Sequence, residues 1–159
     1  MEFSLPIPND GRLRLARGWL LLGLVALLIS GIFSVLLVLA RAPYAQNIFP
    51  WVDFFHTALV VHVDLSVLVW FLAFGGTLWS LNSTPVFLGS GRGALWLAWL
   101  GTLVMATAPF LGAGEALMSN YIPVLQHPIF FAGLLLFAVG VLLLVLRAMG
   151  AIPPVDQWM

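Results

Sequence analysis

Four uninterrupted apolar runs dominate this 159-residue chain, at about residues 19–40, 54–81, 94–111 and 128–147. A helix rises 1.5 Å per residue, so about 20 such residues cross a hydrocarbon core of ~30 Å. Inside that core every backbone polar group must be satisfied within its own segment, which leaves helices as the available element for runs of this kind. The segments between them are short and rich in Gly, Pro, Asn and Ser, as turns between antiparallel helices are. The expected fold is therefore all-α: a single integral membrane four-helix bundle over residues 1–159.

Composition agrees. Apolar residues make up 62%, charged residues 8%, and the mean hydropathy is +1.10. There is no cysteine, which excludes disulfides, iron–sulfur clusters, thiolate ligation of haem and covalent haem attachment through C-x-x-C-H. No Gly-rich phosphate loop, basic stripe for nucleic acid or soluble-hydrolase motif is present. The first run follows Arg12, Arg14 and Arg17 and ends near an Ala-Arg-Ala step, features shared with cleaved signal peptides. Its apolar core exceeds the roughly 7 to 15 residues of a signal h-region, so it reads as a membrane anchor.

Charge sets an orientation. Three arginines precede the first run and one, Arg41, follows it; Arg92 lies between the second and third, and Arg147 ends the fourth. Residues 112–126 carry Glu115 and no basic residue. The positive-inside rule puts both termini in the cytoplasm, with multi-pass insertion in a bacterial inner membrane. Trp19, Trp79 and Trp96 then fall at the inner interface, and Tyr44, Trp51 and Tyr121 at the outer one.

The second run holds the unusual residues, His62 and Asp64, close to its outer end. Ionisable side chains within a span are expensive and by default mark function. A neutral imidazole in a dry bundle is suited to axial ligation of haem iron; equally, it can bond a neighbouring helix. At 100° per residue, His62 shares a face with Leu65, Ser66, Val69, Ala73 and Gly76. These mostly small residues leave either a groove for a flat macrocycle or a seam for another helix. Asp64 points about 200° away on the same wheel, so it must meet another helix, a cavity or a partner, and Arg41 is one candidate. His56 belongs at the interface, Glu115 in a solvated turn, and His127, just before Pro128, at the cap of the fourth helix.

Two blocks carry a family resemblance: VVHVDLSVLVWFLAFGG (60–76) and LWLAWLGTLVMATAPFLGAGEALMSNYIPVLQHPIFFAG (95–133). With their Gly-Glu turn, the Tyr121-x-Pro123 step and His127, they resemble the amino-terminal part of subunit I of the haem–copper oxidases, especially the B and C types and nitric oxide reductase relatives. The resemblance implies that His62 is an axial ligand of a low-spin haem of b or a type. It makes Ser66, Val69 and Ala73 a haem-facing groove and His127 a possible propionate contact. It also implies a respiratory complex fed by cytochrome c or quinol, with no catalytic residue in this chain. That family needs more histidine ligands than the three present here. A partner chain with the high-spin haem and copper ligands would then complete the shared site, making this a split or truncated subunit I. A haem-free assembly scaffold and a stand-alone four-helix b-type cytochrome are the alternatives.

Overall fold

A computed structural model describes residues 7–43, 54–112, 114–118 and 122–153. Among the described residues, four helices are long and apolar enough to span a membrane: α1 (Gly11–Arg41), α2 (Phe54–Leu81), α3 (Leu88–Leu111) and α4 (Pro128–Gly150). The chain is thus an all-α, multi-pass membrane bundle. A two-stranded hairpin, β1 (Ala116–Leu117) with β2 (Val124–Leu125), joins α3 to α4 in antiparallel register. The interfacial residues Tyr44, Trp51 and Tyr121 lie outside the described residues.

Helix α1 starts at Gly11, well before the apolar run, because Asp10 caps it. The Asp10 carboxylate accepts from the Arg12 backbone N–H at 2.7 Å and pairs with the Arg12 guanidinium at 2.9 Å. That bonding holds the Asp10 carboxyl below its ordinary pKa, as it does for carboxylates at helix starts. Helix α1 is an integral part of the bundle, with Trp19, Leu22, Ala26 and Phe33 buried. Its opposite stripe, Leu21, Leu24, Leu28, Ile32 and Val35, is exposed and suited to lipid. Helix α3 begins at Leu88 instead of near residue 94, after Phe87 adopts the left-handed backbone at φ 52°.

Packing of α3 on α4 rests on close backbone approach. A Cβ on Gly140 would lie 2.7 Å from Ala94 O and 2.8 Å from Ala98 N; one on Gly101 would lie 2.6 Å from Gly133 O. Small residues let membrane helices meet this closely, where lipid gives no hydrophobic driving force. Helix α1 uses the same device against α2, with Gly23 beneath Trp70 and Ala73 and Gly76 beneath Trp19.

The ends are tied separately. At one, Arg12 Nη1 donates to Ser83 O at 2.6 Å, and Thr84 N–H donates to Ala151 O at 2.8 Å. The start of α1, the α2–α3 connection and the end of α4 therefore share a face. At the other, Phe110 lies 5.8 Å from Phe33 and 6.1 Å from Phe54 between ring centroids, joining α1, α2 and α3. Such aromatic pairs add to plain area burial.

Candidate functional site

Helix α2 is not a regular α-helix throughout. Directly after His62 and Val63, residues Asp64–Val69 form a π-helical turn. Segments of this kind are rare and recur at functional sites. His62 O accepts from two hydroxyls, Ser66 Oγ at 2.7 Å and Ser30 Oγ at 3.0 Å. These side-chain donors bond the backbone beside the widened turn.

His62 is half-buried, and its Nδ1 lies 2.9 Å from Ser30 O and 2.9 Å from Ser30 Oγ. A carbonyl oxygen only accepts, so Nδ1 carries the ring proton. The Ser30 hydroxyl proton goes to His62 O, and its oxygen shares the Nδ1–H as a second acceptor. Nε2 is then the unprotonated nitrogen, and no hydrogen bond occupies it among the described residues. Metal-ligating histidines are oriented in this way, with the other ring N–H on a backbone carbonyl.

The small-residue face behaves differently from its expectation as an open groove. Val69 and Ala73 are fully buried, and Ala73 packs beside Gly23 of α1. His62 meets Ser30, Ala73 meets Gly23 and Gly76 meets Trp19, so the residues that the wheel groups with His62 face one helix, α1. Ser66 stays half-buried, with its hydroxyl on His62 O. The stripe is a helix–helix seam. A haem would therefore fit His62 Nε2 as its ligand, but it finds no cradle at Val69 and Ala73.

Asp64 is 1% exposed, and neither carboxyl oxygen has a hydrogen-bond partner among the described residues. It does not pair with Arg41, whose guanidinium stacks 3.8 Å above the Phe55 ring. Asp64 instead lines a groove of about 330 Å³ with Val63, Val67, Leu68, Phe71 and Ile122. Among those, Val67 and Phe71 are exposed on the outside of the bundle.

His127 is the N-cap of α4: its Nδ1 accepts from Ile129 N–H at 3.3 Å, with Pro128 at the first helical position. A neutral imidazole that accepts at Nδ1 carries its proton on Nε2 and has no lone pair left for iron. This geometry counts against His127 as a second ligand in a stand-alone cytochrome. His56 is exposed and meets Phe55 edge-on; Glu115 is exposed in its turn. Among the described residues, no group of three or more His, Asp or Glu could hold a metal ion.

Sequence reasoning did not find the opposite end of the bundle. Arg147, read there as the end of the fourth run, is 3% exposed within α4; Nη2 reaches Ser83 Oγ at 3.1 Å, while Nε and Nη1 have no partner among the described residues. Trp19 Nε1 and Ser80 Oγ are likewise buried without a partner among those residues. Nothing in the local sequence signals this, since the loop that covers Arg147 comes from 64 residues earlier.

No family model and no solved structure matches the chain. An uncharacterized protein of Rickettsia prowazekii (strain Madrid E) is 32% identical over 154 residues, covering 81% of this chain and 30% of the relative. An uncharacterized protein of Aquifex aeolicus (strain VF5) is 38% identical over 130 residues, covering 81% and 32%. The chain thus spans about a third of the length of the curated relatives it matches. It is similar to bacterial proteins and is itself a multi-pass helical membrane protein, with four candidate spans.

Proposed function

We propose that this chain is a subunit I-like component of a respiratory haem–copper oxidase, with both termini cytoplasmic in a bacterial inner membrane. His62 would hold a low-spin haem, and a partner chain would complete the site. The observation that carries the reading is the 2.9 Å contact from His62 Nδ1 to Ser30 O, which leaves Nε2 as the available donor.

When bound, the haem supplies one-electron redox chemistry. The protein's own part is to hold the imidazole in one tautomer through Ser30, to keep water away with the apolar flanks of α1 and α2, and to fix the ligand's depth near the outer face. Held there by His62, the group would supply electron transfer between cytochrome c or quinol and an oxygen-reducing centre in the partner.

His62→Ala in the assembled complex is expected to abolish the low-spin absorption band, while carbon monoxide still binds at the high-spin site. An intact low-spin band would overturn the reading.

A haem-free scaffold is favoured by a different observation, the filling of the Val69 and Ala73 face by α1. A Soret band co-purifying with the complex, and lost in His62→Ala, separates the two readings.

A further inference from the structure

A groove of about 540 Å³ runs along the outside of the bundle between α1 and α3. Its two ends differ in chemistry. At one, Arg14 of α1 and Arg92 of α3 face the same opening; further along lie Leu21, Leu95, Trp99 and Leu103. Both guanidiniums are exposed, and neither has a hydrogen bond or ion pair among the described residues. The nearby acid Asp10 is already paired with Arg12.

We infer that this groove binds one anionic phospholipid, with the headgroup phosphate between Arg14 and Arg92 and acyl chain along Leu21, Leu95, Trp99 and Leu103. Charge complementarity selects the headgroup. Two guanidiniums on separate helices suit a group with oxygens on more than one side, since each fork binds phosphate in its own plane. Basic pockets between membrane helices on the cytoplasmic side recognise acidic lipids by the same chemistry. Trp96, 74% exposed beside Arg92, sits where an interfacial indole belongs.

The depth of the groove matches one leaflet. From Arg92 to Leu103 along α3 is about 16 Å at 1.5 Å per residue, close to half of a ~30 Å core. Leu15 is buried beneath the groove, and Leu88 and Leu95 lie against Gly11 and Gly18 of α1. The trough is thus bounded by the α1–α3 contact itself.

The test is native mass spectrometry of the full chain, purified in mild detergent and exchanged into vesicles of phosphatidylglycerol or of phosphatidylcholine. The wild type is expected to retain one phosphatidylglycerol at least ten-fold more than phosphatidylcholine. The Arg14→Gln/Arg92→Gln double variant should lose that preference, and Arg17→Gln, exposed outside the groove, should keep it. Phosphatidylglycerol brominated in its acyl chain should quench tryptophan emission, with a smaller loss in Trp99→Phe. Equal retention of both lipids, an unchanged preference in the double variant, or quenching indifferent to Trp99 would each overturn the proposal. So would cross-linking of Leu103→Cys to a partner helix in place of lipid.

Discussion

Ser30 and His62 bond each other reciprocally across α1 and α2: the serine hydroxyl donates to His62 O at 3.0 Å, and His62 Nδ1 donates to Ser30 O at 2.9 Å. One of these bonds uses the Ser30 side chain and the other uses its backbone. Ser30→Ala is therefore expected to remove the first and leave the second. The loss should be about 1 kcal/mol of stability with the low-spin spectrum retained, read by thermal unfolding and absorption. Loss of the band in Ser30→Ala would show that the hydroxyl, not the carbonyl, fixes the imidazole.

The three histidines separate by role. In the assembled complex, His62→Ala should be far worse than His127→Ala, and His127→Ala worse than His56→Ala. The middle effect is loss of a helix cap, about 0.5–2 kcal/mol, so His127→Asn or His127→Ser should restore stability. Rescue that fails while haem content falls would reassign His127 to a cofactor contact.

Topology is open to chemical labelling. A cysteine replacing Met118, exposed beside the β-hairpin, should react with a membrane-impermeant reagent from outside the cell, and one replacing Ser90 should not. The reverse pattern would put His62 on the cytoplasmic side and remove the basis for electron entry there.

Asp64 predicts opposite signs in two contexts. A buried polar group without a partner costs about 1–3 kcal/mol. Asp64→Leu should therefore raise the melting temperature of the isolated chain. If a partner chain covers the groove beside Val67 and Phe71 and offers the carboxyl a donor, the same substitution should lower the yield of the assembled complex. A destabilised isolated chain would place Asp64's partner within this chain instead.

The bundle was largely legible from the apolar runs, and the bounds of α2 and α4 follow from them because hydropathy and helix coincide there. Both misjudged starts have local causes. Asp10 and Phe87 begin helices outside the apolar window, and the Gly- and Ser-rich stretch 89–93 reads as loop although the helix runs through it. The cap at His127 was legible because Pro128 dictates it. Ser30 as the partner of His62 was not, since that contact joins residues 32 apart on different helices. The face that His62 shares with Ala73 and Gly76 follows from the spacing, but its filling does not, since the residues that fill it, Gly23 and Trp19, belong to α1.

The π-helical turn also means that α2 carries one residue more than its two flanks require. Removing any one residue between Asp64 and Val69 would let an ordinary α-helix form with a full ladder of bonds while the flanks kept their relative rotation, because a π-turn absorbs an extra residue within itself. Ala73 and Gly76 would stay against Gly23 and Trp19, and His62 would stay at Ser30. A single-codon deletion here would therefore act on the turn alone, separating what the surplus residue does for the backbone beside Asp64 from what the imidazole does.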